Sequence, residues 1–185
     1  MMKTTLSLAA LCASLAASTA FAGENPMVGG AAMYADKNIV ENAVNSADHT
    51  TLVAAVKAAG LVDTLSGPGP FTVFAPTNEA FDRLEPGAVD MLLKPENKDQ
   101  LTKVLTCHVV DKAIMAEALQ DMITDNGGST AIPTLGGCIL TASFTDEGKI
   151  LLTDENDNGA MVSIANVQQS NGLIHVIDGV MLPRQ

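Results

Sequence analysis

Three observations predict an α+β fold. Apolar residues recur at helical spacing through most of the chain up to Met122. One isolated run inside that stretch, Phe71-Thr72-Val73-Phe74-Ala75, has the composition of a strand. Beyond Asn126 the period changes to short apolar runs separated by Gly- and Asn-rich turns, which reads as a β-meander closing the domain.

The elements follow in order. Gly23 to Ala35 is small and weakly patterned, so residues 23–38 read as a flexible leader. Ile39, Val40, Ala43 and Val44 share a helical face. Asp48 or Thr50 can cap a second helix carrying Leu52, Val53, Val56 and Ala59, and Gly60 stops it. A short apolar turn at 61–65 is broken by Ser66-Gly67-Pro68-Gly69-Pro70. After the strand at Phe71, Pro76-Thr77-Asn78 opens a helical turn with Ala80, Phe81 and Leu84 inward. Val89, Leu92 and Leu93 form another short face, and Pro95 starts a helix burying Leu101, Val104 and Leu105. Cys107-His108-Val109-Val110 reads as a short strand, and Lys112 to Met122 as a helix. Strands are expected over 138–144, 150–153, 161–167 and 173–182, antiparallel because their turns are short.

Composition bounds the function. Of 185 residues, 47% are hydrophobic, enough for a core. Five Phe, one Tyr and no Trp leave little for stacking nucleobases. A formal charge of -11 repels phosphate backbones and anionic lipid alike. No nucleic-acid partner and no transmembrane anchor are expected. Met1-Met2-Lys3, the apolar run Leu6 to Ala17 and Ala20-Phe21-Ala22 make a signal peptide over residues 1–22, cleaved after Ala22. The run is too short to span a bilayer. Cys12 follows Leu11, where lipidation wants a small residue. Cleavage leaves Cys107 and Cys138, an even number in an exported chain, which suggests one disulfide. Two buried free thiols are the alternative.

Chemistry-bearing groups are sparse. Asp154, Asn156, Asn158 and Gly159 match positions 1, 3, 5 and 6 of an EF-hand-type loop, a weak calcium candidate. Position 12 is Ala165 rather than Glu, and a turn between strands explains the same residues. His49, His108 and His175 lack metal-ligand spacing, so no metal is assigned. Met115 and Met122 read as core rather than copper ligands. Neither a nucleophile elbow nor a phosphate loop is present. His108 and His175 lie amid apolar residues and read as core histidines making structural hydrogen bonds. The chain is expected not to be an enzyme and to need no cofactor.

Phe71-Thr72-Val73-Phe74-Ala75-Pro76-Thr77-Asn78-Glu79-Ala80-Phe81 resembles the first signature block of the fasciclin domain family. Asn171-Gly172-Leu173-Ile174-His175-Val176-Ile177-Asp178-Gly179-Val180-Met181-Leu182-Pro183 resembles the second. Leu105-Thr106-Cys107-His108-Val109-Val110 is similar to the family's central Tyr-His motif, with Cys107 where Tyr is usual. The resemblance covers 39–183. It implies a fasciclin-like β-wedge of about seven strands packed with several helices. It implies that Thr77, Asn78, His108, Asn171, His175 and Asp178 hold the fold through buried hydrogen bonds. It further implies a non-enzymatic role in cell adhesion or protein–protein contact outside the cytoplasm. Family members share no cofactor. Asn97, Lys98 and Asp99 resemble a short adhesion motif of animal matrix members and are weak binding candidates; an exposed helix surface is the favoured reading of the same residues. The expectation is a bacterial single-domain protein, periplasmic or secreted. Its partner is an envelope or extracellular protein or polysaccharide. A periplasmic small-ligand or calcium-binding protein is the alternative.

Overall fold

The computed structural model describes residues 25–184, so the signal peptide expected over residues 1–22 lies outside the described residues. A hairpin of β1 (Met27–Val28) and β2 (Ala31–Ala32) leads to α1 (Ile39–Ala43). A 3-10 turn over Ala47–His49 runs into α2 (Thr50–Ala59), followed by α3 (Val62–Ser66) and β3 (Phe71–Pro76). Then come α4 (Asn78–Asp82), α5 (Ala88–Leu92), a 3-10 turn over Pro95–Asn97 and α6 (Lys98–Thr106). The chain continues through β4 (Val109–Val110), α7 (Ala116–Asp125), β5 (Ser129–Pro133) and β6 (Ile139–Phe144). It ends in β7 (Ile150–Thr153), β8 (Gly159–Gln169) and β9 (Gly172–Ile177).

Local chemistry explains the helix ends. Asn38 caps α1 by accepting from the Glu41 amide at 2.9 Å while Glu41 accepts from the Asn38 amide at 2.9 Å, a reciprocal capping box. Gly60 ends α2 at φ 73°, a left-handed conformation that costs glycine nothing. Thr77 caps α4, its Oγ1 accepting from the Ala80 amide at 3.3 Å.

Strands β4-β3-β9-β8-β7-β6-β5 form one sheet in that order. All neighbours are antiparallel except β3 and β9, which run parallel from Phe71↔Gly172 to Pro76↔Ile177. Two hydrophobic cores flank the sheet. Helices α1 to α4 and α6 bury Leu52, Val56, Leu65, Leu101 and Leu105 against Val73, Ala75, Ile174 and Val176. On the other face α7 buries Leu119 and Ile123 against Phe74, Leu140, Leu152 and Ile177. The sheet curls until its ends meet at one point. The Leu135 amide donates to the Val109 carbonyl at 2.8 Å, and the Gly136 amide to the Thr106 carbonyl at 2.9 Å. There Cys107 and Cys138, both buried, are joined by a disulfide with Cα atoms 5.3 Å apart.

Several boundaries differ from the sequence reading. Val28 and Met33 are buried in the first core, so part of the stretch read as a flexible leader is a packed hairpin. Small residues gave it no period, yet two apolar side chains suffice to dock it. Cys107 and His108 are not strand residues: Cys107 caps α6 with helical dihedrals, and only Val109 and Val110 pair with β3. The helix expected from Lys112 begins at Ala116, because Met115 is extended. The preceding backbone serves Thr72 instead, whose Oγ1 donates to the Lys112 carbonyl at 2.5 Å and accepts from the Ile114 amide at 2.8 Å. Strand β9 stops at Ile177 rather than running to Leu182.

Candidate functional site

Apart from Thr77, the polar residues of the three motif blocks lie in three places, each joining segments far apart in the chain. The first is around α4. The Asn78 side chain accepts from the Thr51 amide at 3.0 Å and from Thr50 Oγ1 at 3.1 Å, and donates to the Ala47 carbonyl at 2.8 Å. It therefore satisfies a free donor at the start of α2 from another helix. Nearby, Asp178 accepts from the Met161 amide at 2.6 Å and faces Arg83 at 3.5 Å. Arg83 also donates to the Asp178 carbonyl at 2.9 Å.

The second place is the entry to β9. Asn171 Oδ1 accepts from the Ile39 amide at 3.0 Å. Its Nδ2 donates to the carbonyls of Leu65 at 2.8 Å and Gly67 at 3.0 Å. One side chain thus fixes α1, the end of α3 and β9. Gly172 follows at φ 155°, and a Cβ there would strike the Phe71 backbone across the parallel pair.

The third is the interior of the curled sheet, where His108 joins α6 to residue 181 and His175 joins β9 to β8 and residue 114. The Met181 amide donates to His108 Nε2 at 2.9 Å, so the ring proton sits on Nδ1 and is donated to the Val104 carbonyl at 2.8 Å. His175 has the opposite tautomer: Nδ1 accepts from the Asn166 amide at 3.3 Å and Nε2 donates to the Ile114 carbonyl at 2.8 Å. Its ring stacks on Phe74 with centroids 5.6 Å apart. Burial pushes the His108 pKa down to about 4, against the opposing pull of the Val104 carbonyl and Asp154. Burial also lowers His175, opposed by Ile114 and Glu117. Both rings are neutral near pH 7, and both nitrogens of each are engaged. Neither is free to act as a general base.

The loop with calcium-like spacing does a different task. Asp154, 6% exposed, accepts at Oδ1 from the amides of Asn156 at 2.8 Å and Asn158 at 2.9 Å. Its Oδ2 accepts from Asn158 Nδ2 at 2.9 Å and from the Leu182 amide at 2.8 Å. A carboxylate has about four lone-pair sites, and here each meets an N–H. Asn156 Nδ2 donates to the carbonyls of Leu182 at 3.0 Å and Pro183 at 3.2 Å. The loop is an anchor for residues 182–183, and a cation would have to displace those donors. Among the described residues, no three His, Cys, Asp or Glu side chains gather as a metal site.

Asn97 stands at the start of α6, with Nδ2 donating to the Met91 carbonyl at 2.7 Å; Lys98 and Asp99 are exposed on the first turn. Sequence reasoning missed His49. It is buried, pairs with Ser46 Oγ through Nδ1 at 2.8 Å, and leaves Nε2 unpartnered beneath β3. Burial lowers its pKa, opposed by the Ala75 backbone and Asp48. Only its place next to a helix start distinguished it in the sequence.

These groups make a wedge-shaped α+β scaffold whose polar motif residues serve as cross-braces. A family model described as the fasciclin domain matches residues 47–183, and the chain belongs to that family. A Synechocystis protein, sll1483, is 48% identical over 160 residues, covering 86% of this chain and 81% of its own. The pig transforming growth factor-beta-induced protein ig-h3 is 35% identical over 71% of this chain, which spans only 17% of that relative. A solved domain pair from the insect cell adhesion molecule fasciclin I superposes with TM-score 0.68 at 22% identity. That likeness covers 79% of this chain and 51% of the pair, and establishes the fold.

Proposed function

We infer that this chain is a non-enzymatic interaction module working outside the cytoplasm, in adhesion or in binding an envelope or extracellular protein or polysaccharide. One observation carries the reading. The side chains best suited to chemistry, His108, His175 and Asp154, have their nitrogens and oxygens occupied in holding the fold. What remains for function is surface. Membership of the fasciclin domain family supports the same reading. Among the described residues, no helix is long and apolar enough to cross a membrane. A signal peptide over residues 1–22, as read from the sequence, supports a place in the periplasm or beyond. Intact mass of the exported protein should begin at Gly23. Cross-linking of the tagged protein in its native envelope, followed by mass spectrometry, should return a reproducible partner. No partner above a scrambled-surface control would sink the interaction reading.

A further inference from the structure

The curled sheet closes only partway. At the closed end the Leu135 amide reaches the Val109 carbonyl and the disulfide holds the two sides together. Beyond that point the two edges diverge, and a cleft of about 550 Å³ opens between β5 and the segment Val110–Ile114. Its lining is mainly apolar: Val110, Ile114, Met122, Ile132 and Leu135, with α7 on one side.

The β5 lip carries free main-chain groups. The Thr134 amide donates to the Cys138 carbonyl at 3.0 Å, so the main-chain N–H and C=O groups of even-numbered β5 residues point to β6 and those of odd-numbered ones point away from it, to the cleft. Leu135 spends its amide on Val109, and Pro133 has none. Ala131 presents both its N–H and its carbonyl to the cleft, and it is exposed. A strand edge of this kind calls for another main chain.

Charge narrows what that chain carries. Ala118 and Met122 turn toward the cleft, and Asp121 and Asp125 share their helix face at i+3, i+4 and i+7 spacing. Asp111 adds a third carboxylate, opposed by Lys112 alone, in a chain of net charge -11. We propose that the cleft takes an extended apolar segment flanked by basic residues, supplied by an envelope or extracellular protein and added as a strand to the edge of β5. This deepens the interaction reading above and rests on it.

The probe is a fluorescein-labelled Lys-Lys-Val-Thr-Val-Thr-Val-Lys-Lys peptide, followed by anisotropy against the full mature protein. Saturable binding below about 1 mM is expected. Replacing the flanking lysines by glutamates, or N-methylating alternate peptide amides, should each weaken it about tenfold. The charge effect should shrink in 0.5 M salt. Ala131→Pro removes the free N–H without touching the β5–β6 ladder and should weaken binding about tenfold. Asp121→Lys with Asp125→Lys changes only exposed side chains and should reverse the preference toward the glutamate-flanked peptide, so a misfolded proline variant leaves the test intact. No binding at millimolar peptide, indifference to N-methylation, or unchanged charge preference in the double lysine variant would each overturn the proposal. Envelope cross-linking separates the two levels. The same partners captured by wild type and by Ala131→Pro would remove the cleft and leave the interaction reading standing. No partner for wild type would remove the interaction reading, while the peptide result still judges the cleft.

Discussion

The two halves of the sheet are built to different rules. Strands β3 and β9 are covered on both faces, and nearly every residue of Phe71–Pro76 and Gly172–Ile177 is buried. Strands β5, β6 and β7 are covered by α7 on one face only, and β6 alternates exposed and buried residues for most of its length. On the open face Ile139 and Met161 are 49% and 39% exposed, among threonines, serines and alanines. Strands β5 to β8 contain no charged residue at all. The lesson is that burial on both faces demands a continuous apolar run, whereas one-sided burial demands only every second residue. Among the described residues the charges sit in turns, loops and helices, and the open face is left neutral.

That contrast can be broken by mutation. In the doubly covered half, Phe74→Ala should cost about 3–5 kcal/mol in urea unfolding, because Phe74 is fully buried and also stacks on His175. A cost near that of a surface change would mean the second core is not close-packed. Next comes pH. The His108 pKa is about 4 in the folded chain against 6.5 unfolded. The unfolded state therefore binds the proton first as pH falls, and stability drops between pH 6.5 and 4. It levels off below that window, after a loss on the order of 3 kcal/mol. His175 and His49 shift in the same direction and add to the slope. Urea midpoints across that range, with His108→Gln as the flattened control, check the sign. The link between the halves comes third. Replacing Cys107 and Cys138 by serine should cost about 2–4 kcal/mol. The wild-type exported protein should give no free thiol; two titratable thiols would dissolve the link.

Smaller effects belong to the one-sided half. Asp154→Asn keeps one acceptor and loses the other, leaving two donors unmet, for about 1–3 kcal/mol. Hydrogen exchange at Leu182 should speed up with it. Millimolar calcium should leave the melting temperature of wild type unchanged; a rise would show that the cation displaces the backbone donors. Least of all, Ile139→Ala on the open face should stay within about 0.5 kcal/mol.

Legibility in the sequence follows the same division. Strand β3 was readable because both faces are apolar, and α2 because its stripe ends at Gly60. Strand β5 went unread: Ser-Thr-Ala-Ile-Pro offers a single buried apolar residue, Ile132, and its place is set by pairing with β6. The parallel partnership of β3 with β9 left no trace in either run, since periodicity reports burial and not neighbours. Histidines 108 and 175 could be assigned to the core from their apolar flanks. Which carbonyls and amides they meet depended on loops at Ile114 and Met181 that carry no period. The cleft was invisible for a related reason: its edges lie far apart in the chain and converge only when the sheet curls.

The parallel pairing of β3 with β9 has one more consequence. The two runs lie about 100 residues apart, and β9 joins the two halves of the sheet from its interior rather than from an edge. A chain emerging in order from a ribosome or a translocation pore holds β3 exposed on one side until its last strand arrives. Completion of β3 therefore waits on residues about 100 positions downstream, so this sheet rests on contacts of high sequence separation, the kind that slow folding.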